Sequence, residues 1–329
     1  MRSFKAFLIE EIEGKTKSGL VNVDESLLDA GEVTIRVAYS SVNYKDALAA
    51  TGAGRIIRRF PCIGGIDLSG IVEESSDPRF KAGDQVIATS FDIGVAHHGG
   101  YAEIARVPGD WVVPLPEGLT LFDAMALGTA GFTAALAIVR MEENGLAPNK
   151  GPVIVTGATG GVGGLAIDML AKLGYSVTAL TGKESQTDYL RRLGASEVML
   201  RSSLDLSHIR PLAKAVWAGA VDNLGGDVLA WIASSMKPGG TIASIGLAAG
   251  TTLNTTVMPF VLRGVSLLGI DSGYVGEPYR QRIWQRLATD LRPRNLLEMT
   301  RTIGLNELPD VFDGFLKGAA HGRVVVAVS

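Results

Sequence analysis

The strongest constraint on the fold of this chain is the glycine-rich segment Thr-Gly-Ala-Thr-Gly-Gly-Val-Gly-Gly at residues 156–164. It follows a short β-branched run and leads into an apolar run of helical character, which is the order strand, turn, helix. In that order Gly157 permits the sharp turn, Gly160 lets the backbone approach a pyrophosphate, and Gly163 permits close helix–strand packing. The helix start adds N–H donors and a partial positive charge, so the segment predicts a dinucleotide-binding loop rather than an empty βα turn. The other loop residues expected to contact the cofactor are Thr159, Gly161 and Val162.

The end of the next predicted strand indicates which dinucleotide binds. An NAD site places Asp or Glu about 20 residues beyond the glycine loop, on the ribose hydroxyls. Here the strand ends in Thr181-Gly182-Lys183 instead. Thr181 can donate a hydrogen bond to a 2′-phosphate and Lys183 supplies a positive charge, which favours NADPH. Arg201 is expected to lie across the adenine or to add a phosphate contact, whereas Glu184 weakens the local positive field and a solvated Lys183 is the alternative.

Two kinds of pattern divide the chain. The first part alternates short β-rich runs with Gly and Pro, which predicts an irregular β domain, and the second alternates strands with helices. Five or six such strands predict an α/β fold with a doubly wound parallel sheet. A last strand at 322–328 is expected to return to the first domain. We therefore predict one domain from residues 1–122 and 297–329, and a second from 123–296. The predicted strands are 5–10, 32–39, 70–73, 85–90, 101–107, 111–114, 153–156, 176–180, 197–200, 222–224, 241–245 and 265–270, and helices are predicted to end at 172 and to cover 185–193 and 278–290.

One apolar stretch, residues 124–139, is too short to span a membrane and predicts a buried helix. Thr120 and Asp123 form a start that resembles a capping box with Asp in place of Glu, and Asn144-Gly145 supplies a stop. At the amino terminus, Glu10 and Glu11 stand where a secretory apolar region would continue, so a cytoplasmic location is expected.

Charge and cysteine content exclude several classes of function. Lys and Arg number 31 against 34 Asp and Glu, a formal net charge of −3, which argues against a nucleic-acid or membrane partner and leaves a small-molecule substrate. The single cysteine, Cys62, can neither close an intrachain disulfide nor supply the thiolates of a structural zinc site.

The glycine loop also fits a second pattern. Thr156, Gly157, Gly161 and Gly163 satisfy the Thr-Gly-x-x-x-Gly-x-Gly pattern of short-chain dehydrogenases. Those enzymes need a Tyr four residues before a Lys, and none of the seven Tyr has Lys at that spacing. They also begin with the nucleotide loop, whereas about 150 residues precede it here. Both observations disfavour that family.

A β domain ahead of a dinucleotide fold resembles the medium-chain dehydrogenase/reductase superfamily, over nearly the whole chain. Zinc alcohol dehydrogenases of that family read Gly-His-Glu-x-x-Gly, but residues 65–70 read Gly-Ile-Asp-Leu-Ser-Gly, with Ile66 at the position of the ligand His. Asn43 stands near the place of the first ligand Cys, and the region of the third ligand, residues 127–129, has no thiol. The resemblance therefore implies that the catalytic zinc ligands are absent and that no metal is bound.

The remaining motifs resemble the zinc-free quinone-oxidoreductase branch and are similar to bacterial NADPH-dependent acryloyl-CoA reductases. They lie at residues 42–48, 65–70, 98–103, 127–134 and 263–272. The resemblance implies a GroES-like catalytic domain, a Rossmann domain that binds NADPH, a homodimer, and reduction of the C=C bond of an α,β-unsaturated acyl thioester such as acryloyl-CoA. A quinone or small-enone reductase remains an alternative, as does a non-catalytic NADPH-binding redox sensor.

Chemistry without a metal leaves few candidate catalytic groups. The expected reaction gives an enolate, which needs a hydrogen-bond donor for its oxygen and a proton for its α-carbon. By resemblance Tyr44 lies beside the nicotinamide and is the first candidate for proton donor, and Asn43 is a candidate donor to the thioester oxygen. Asp67 either orients a polar partner or accepts backbone N–H bonds in a turn, and the turn is favoured. Leu247 and Ser272 are carried over as contacts on the nicotinamide side.

Two further clusters are ambiguous. His97 and His98 have no Cys or acid at metal-ligand spacing and are expected in an exposed loop. Arg55, Arg58 and Arg59 form a basic cluster that either binds the phosphates of a CoA moiety or lies on a solvated face.

Overall fold

The computed structural model describes residues 2–328, which divide into two compact units. Unit 1 contains the residues up to Thr129, Gly273–Ala288, and the residues from Leu296 onward. Unit 2 contains Ala130–Ser272 and Thr289–Asn295. The domain boundaries drawn from the sequence stay a prediction.

The strands and helices follow in chain order. The strands are β1 (Ser3–Ile12), β2 (Lys15–Asp24), β3 (Val33–Ser41), β4 (Cys62–Ile63), β5 (Asp67–Ser75), β6 (Gln85–Thr89), β7 (Ile104–Val107), β8 (Val112–Pro114), β9 (Val153–Thr156), β10 (Val177–Thr181), β11 (Glu197–Leu200), β12 (Trp217–Asp222), β13 (Met236–Ser244), β14 (Ser266–Gly269), β15 (Thr300–Gly304) and β16 (Arg323–Ala327). The α-helices are α1 (Tyr44–Thr51), α2 (Leu121–Glu143), α3 (Gly161–Lys172), α4 (Thr187–Arg192), α5 (Gly226–Ser235), α6 (Met258–Arg263), α7 (Tyr279–Ala288) and α8 (Leu308–Leu316).

Unit 1 is built on two sheets. One has the order β15-β16-β3-β5-β6-β8, with β7 also paired to β3, and the other has the order β2-β1-β4. Val33, Ile35 and Val37 place β-branched side chains of β3 in the core at the spacing of two that a strand requires. The expectation that the last strand returns to the first domain is confirmed, because β16 pairs antiparallel with β3.

Helix α2 begins and ends where the sequence predicts. The carboxylate of Asp123 accepts hydrogen bonds from the backbone N–H and hydroxyl of Thr120, and the Asp123 N–H donates to the Thr120 hydroxyl. Gly145, with φ of 89°, follows the helix end. The helix is long and apolar enough to cross a membrane by composition alone, but 89% of its most apolar window is buried in the protein, as in a core helix. Gly128 interrupts the helix with φ of 53° and ψ of −157°.

Unit 2 is one parallel sheet of order β11-β10-β9-β12-β13-β14. From β9 the chain adds β10 and β11 on one side of the sheet and then β12, β13 and β14 on the other side. This is the strand order of a doubly wound nucleotide-binding fold, so the predicted Rossmann sheet is confirmed. Buried side chains such as Ile154, Ala220 and Ile242 fill its core. Because the strands are parallel, their carboxyl ends share one edge, where ligands bind in such sheets.

Some predicted elements are displaced or missed. The strand expected at 222–224 is wrong in position, since β12 covers Trp217–Asp222 and the next two residues form a bend. β2 escapes the sequence pattern because most of its side chains are exposed and polar, so no apolar alternation marks it. Helix α5 begins at Gly226 behind a second glycine, which masks a helical start in the sequence.

Candidate functional site

Asp67 of unit 1 is the centre of a buried polar network. It begins β5 and is fully buried. Its Oδ2 accepts from Ser41 Oγ at 2.6 Å, Asn43 Nδ2 at 2.8 Å and the Thr129 N–H at 2.9 Å, and its Oδ1 accepts from Thr129 Oγ1 at 2.5 Å. The turn interpretation of Asp67 is wrong, because three of its four donors are side chains and all come from other segments. Its carboxylate orients polar partners, among them Asn43.

Arg323 joins this network from β16, about 280 residues away in sequence. It is 3% exposed, and its Nη1 donates to Asn43 Oδ1 at 3.2 Å while its Nη2 donates to Ser41 Oγ at 3.0 Å. Its Nε donates to the carbonyl of Ala126 at 2.9 Å. Burial lowers the pKa of Arg323, and the charge of Asp67 opposes that shift. The guanidinium and the carboxylate therefore hold the Asn43 amide from its two sides.

Gly128 leaves the space that this network fills. It adopts φ of 53°, and a Cβ at this position would lie 2.6 Å from Asp67 Oδ2 and 2.7 Å from both Arg323 Nη2 and Ser41 Oγ. No larger residue fits here without moving the network. The break in α2 at Gly128 is thus tied to the polar cluster beside it.

A second buried carboxyl, Asp46, lies in the first turn of α1. Its oxygens accept from the N–H groups of Asn43 at 2.8 Å and Ile66 at 2.9 Å. Burial, with the nearby charge of Asp67, raises the pKa of Asp46 to about 7. Tyr101 donates to the Ser41 carbonyl at 3.1 Å, and burial raises the pKa of this phenol well above its usual value.

Tyr44 differs from its neighbours in being open. It is the first residue of α1, directly after Asn43, and its side chain is 54% exposed. Asn43 is 8% exposed, its Nδ2 donates to Asp67, and its side chain also hydrogen-bonds the Asp46 carboxyl. Unit 1 therefore presents an oriented amide next to an exposed phenol.

The predicted dinucleotide loop lies at the carboxyl end of β9 in unit 2. Thr156 Oγ1 donates to Asp222 Oδ1 at 2.7 Å and accepts from the Asn223 N–H at 2.9 Å. Asp222 is fully buried, which raises its pKa, and it also accepts from the Gly225 N–H at 2.8 Å. These bonds fix the strand end from which the loop departs.

The glycines of the loop have the geometry that the sequence predicts. Gly157 has φ of 58°, and Gly160 precedes the first residue of α3. A Cβ on Gly163 would stand 2.4 Å from the Gly157 carbonyl oxygen, so close packing requires glycine there. Gly160 is exposed, so its backbone is open to a ligand. The cradle fits a pyrophosphate, with Thr159, Gly161 and Val162 around the helix start.

The end of β10 carries the residues predicted to select NADPH. Thr181 Oγ1 accepts from the Lys183 N–H at 3.0 Å, which leaves its hydroxyl proton to donate. Gly182 is exposed, and Nη2 of Arg201 lies 3.9 Å from where its Cβ would stand. The structure thus brings Thr181, Gly182, Lys183 and Arg201 together at the sheet edge.

Two further predicted cofactor contacts follow neighbouring strands of the same sheet. Leu247 follows β13 and is 65% exposed. Ser272 follows β14, and its hydroxyl accepts from Thr133 Oγ1 at 2.7 Å. Both lie beyond carboxyl strand ends, on the side where this sheet type binds ligands.

The expectation of an exposed histidine loop is wrong. His97 and His98 are 9% and 3% exposed. His98 Nδ1 accepts from the Ile63 N–H at 3.0 Å, and burial lowers the pKa of this imidazole. His97 Nε2 contacts the Arg106 carbonyl at 2.7 Å. Both rings serve as polar partners of neighbouring loops, a role that sequence spacing does not reveal.

The basic cluster is largely neutralised within unit 1. Arg58 pairs with Asp92 at 2.5 Å, and Arg59 pairs with Asp29 at 2.6 Å. Arg55 is exposed and has no ion-pair partner among residues 2–328. The three guanidiniums are therefore not equivalent as phosphate ligands.

Sequence reasoning missed several network residues. Ser41, Asp222 and Arg323 lie outside every motif, and Asp46 and Thr129 lie within motifs but were given no role. The available signals are weak: a polar residue ends a strand at Ser41 and Asp222, and a charge opens the apolar last strand at Arg323. Within residues 2–328, no three His, Cys, Asp or Glu side chains form a group that could hold a metal ion.

Comparisons with known proteins confirm the predicted α/β fold with a GroES-like domain and a dinucleotide-binding domain. Residues 29–117 match the alcohol dehydrogenase GroES-like domain and residues 161–289 match the family described as zinc-binding dehydrogenase. The acrylyl-CoA reductase AcuI of Ruegeria pomeroyi is 48% identical, over 99% of both chains. The crystal structure of Escherichia coli YhdH with bound NADPH superposes with a TM-score of 0.95 at 48% identity, over 98% of this chain and 100% of that one. That of Bacillus subtilis yhfP with NAD bound gives 0.97 at 47% identity, over 100% of both.

Proposed function

The chain belongs to the medium-chain dehydrogenase/reductase family, and from this premise we propose that it is an NADPH-dependent reductase of α,β-unsaturated acyl thioesters, with acryloyl-CoA as substrate. The observation that carries the proposal is the Asn43 amide, held by Asp67 and Arg323 next to the exposed phenol of Tyr44. A donor fixed in advance stabilises a developing oxyanion without reorganising during the reaction.

The chain's residues have separate roles in this reaction. When bound, NADPH supplies a hydride for the β-carbon of the thioester. The substrate becomes an enolate, and the Asn43 amide donates to its oxygen. Tyr44 gives its phenolic proton to the α-carbon and regains one from water, so that the C=C bond becomes a saturated C–C bond. Asp67 and Arg323 act as positioning residues.

Cofactor choice follows from unit 2. The loop residues Thr159, Gly160, Gly161 and Val162 hold the pyrophosphate, and Thr181 and Lys183 hold the 2′-phosphate with Arg201 beside them. The E. coli relative carries NADPH, which supports the choice, whereas the B. subtilis relative carries NAD. NADH therefore belongs in every assay as the competing cofactor.

The deciding experiment follows the oxidation of NADPH with acryloyl-CoA, a quinone and a free enone in parallel. We expect the highest kcat/KM with acryloyl-CoA. A kcat/KM for the quinone that is tenfold or more above that for acryloyl-CoA, roughly 1.4 kcal/mol in transition-state free energy, would refute the thioester assignment. One observation favours that competitor: Arg58 and Arg59 are already paired, which leaves Arg55 alone for a CoA phosphate. If the protein turns over none of these three compounds, the result would favour the alternative of a non-catalytic, NADPH-binding redox sensor.

The role of Tyr44 has its own test. Tyr44→Phe removes the phenolic proton, so we expect kcat to fall by about 10²-fold or more while the Kd for NADPH stays unchanged. Tyr39→Phe is the matched control, because the Tyr39 ring packs against Phe122 within unit 1 and is not assigned to the reaction. An unchanged kcat in Tyr44→Phe would remove Tyr44 as the proton donor.

The proposal includes a homodimer. Strand β14 is an edge of its sheet, and helix α6, which precedes it in the chain, exposes Val261 at 73% and Leu262 at 63%. An apolar edge of this kind favours pairing with a second copy. Leu262→Glu should shift the sedimentation mass toward that of a monomer, and a monomeric parent would refute the dimer. The net charge of −3 argues against a nucleic-acid or membrane partner.

A further inference from the structure

Two consecutive residues after β6 have an unusual backbone. Ser90 and Phe91 adopt φ of 66° and 50°, in the left-handed region that residues other than glycine rarely enter. Each such residue costs free energy that surrounding contacts must offset, and such strain concentrates at functional sites. The Ser90 N–H donates to the carbonyl of Ile66 at 2.8 Å, next to Asp67 in sequence. This segment therefore lies directly against the buried network.

The Ser90 hydroxyl extends that network by one bond. Ser90 Oγ and Thr129 Oγ1 are 3.0 Å apart, and Ser90 is 6% exposed. The Thr129 hydroxyl already donates its one proton to Asp67 Oδ1. In the pair with Ser90, Thr129 is therefore the acceptor and Ser90 is the donor. The bonds then run in one direction, from Ser90 to Thr129 to Asp67. Asp67 in turn holds Asn43 at 2.8 Å.

Phe91 fixes the strained segment from its other side. Its N–H donates to the Gly273 carbonyl at 3.0 Å, and its ring stacks on Trp111 with centroids 5.4 Å apart. The guanidinium of Arg280, which is 1% exposed, lies 4.5 Å from the Phe91 ring centre and donates to Thr89 Oγ1 at 2.9 Å. These contacts hold the backbone in the conformation that directs the Ser90 hydroxyl at Thr129.

We propose that Ser90 is a positioning residue for the reaction, acting through Thr129 and Asp67 on the amide of Asn43. The inference rests on the proposed function, since it assigns Asn43 the donor role. The Ser90 bond polarises the Thr129 hydroxyl, which strengthens its hydrogen bond to Asp67 and fixes the carboxylate that orients Asn43. Loss of the bond should therefore affect turnover more than cofactor affinity.

The test compares Ser90→Ala with Ser69→Ala. Ser69 is a buried serine of β5 whose hydroxyl donates to the Leu121 carbonyl at 2.7 Å, so its removal controls for the loss of a buried hydrogen bond. We expect Ser90→Ala to lower kcat about three- to tenfold at unchanged Kd for NADPH. Thr129→Val should give a similar loss, and the double variant should lose no more than the larger single one. A kcat for Ser90→Ala that equals the parent or Ser69→Ala value, or a multiplicative double loss, overturns the proposal.

A second readout separates this inference from the proposed function. The side-chain amide of Asn43 is observed by ¹⁵N NMR and assigned from its absence in Asn43→Ala. Ser90→Ala should shift this signal and Ser69→Ala should leave it in place, whichever substrate the parent reduces. Failure of the parent with acryloyl-CoA refutes the substrate, whereas an unmoved Asn43 signal in Ser90→Ala refutes the positioning role.

Discussion

The glycine loop of unit 2 and the polar network of unit 1 are two candidate ligand sites that are built in opposite ways. The loop uses nine consecutive residues, 156–164, whose backbone offers N–H donors at a helix start. The network gathers Ser41, Asn43, Asp67, Thr129 and Arg323 from separate segments and uses side chains. A backbone site depends on local conformation, whereas a side-chain site depends on every segment that meets there.

The largest effect is expected from Arg323→Leu, which removes the buried cation that interacts with the Asp67 charge and the hydrogen bonds that Arg323 donates to Ser41 and Asn43. Removing one of two opposite buried charges costs about 3–5 kcal/mol in the free energy of unfolding. Urea denaturation measures the loss, and Arg301→Leu on the exposed face of β15 is the control. If Arg323→Leu and Arg301→Leu are equally stable, the stability of unit 1 does not depend on the buried network.

Gly163→Ala tests the backbone site. Its Cβ would stand 2.4 Å from the Gly157 carbonyl, and overpacking of this kind costs about 1–3 kcal/mol of stability. We expect NADPH binding, measured by calorimetry, to weaken with it. Gly314→Ala in α8 meets no atom within 4 Å and should be neutral or slightly stabilising. Normal NADPH affinity in Gly163→Ala would show that the loop can accommodate a Cβ at this position and that cofactor binding does not depend on the close contact with Gly157.

Lys183→Ala tests whether the loop's selectivity comes from one side chain. Removing the charge should weaken NADPH about tenfold, or 1.4 kcal/mol, and leave NADH unchanged. Fluorescence titration with both cofactors measures the difference, with the exposed Lys214→Ala as control. An equal loss for NADPH and NADH would mean that Lys183 does not bind the 2′-phosphate.

The smallest effect is the pH dependence that Asp46 gives to unit 1. Its pKa is about 7 in the folded chain against 3.8 for an ordinary Asp, so the folded state binds more protons between these values. The stability from this group is full below the unfolded pKa and is lost as pH rises through the folded one. Between pH 6 and pH 7 the free energy of unfolding should fall by about 1 kcal/mol.

Asp46→Asn removes this titration and should flatten the stability profile measured by denaturation from pH 5 to pH 8. The exposed Asp188→Asn serves as control. A parent profile that is already flat, or a slope that survives in Asp46→Asn, would assign the dependence to other groups. Asp67, Tyr101 and Arg323 face Asp46 and are unchanged in both variants.

The sequence predicted more of the glycine loop than of the polar network, because the loop depends on local conformation and the network depends on segments that are distant in sequence. The strand, turn and helix around Gly157 and Gly163 follow from residues adjacent in sequence, and the structure gives both glycines their expected geometry. Asp67 and Asn43 were singled out from motifs, but Ser41 and Arg323, which bind them, were not. Buried His97 and His98 were misjudged because spacing along a chain does not indicate what packs against it.

The sequence alone determined the doubly wound sheet, the glycine cradle and the absence of an acid at the end of β10, because strand periodicity and turn conformation depend on near neighbours. Only the tertiary structure decided that Arg323 reaches Asn43, that Ser90 donates to Thr129, and that Gly128 must lack a side chain. Those contacts join segments up to about 280 residues apart. Burial strengthens each hydrogen bond and makes an unpaired polar group costly, and this happens only once the chain has folded around the groups.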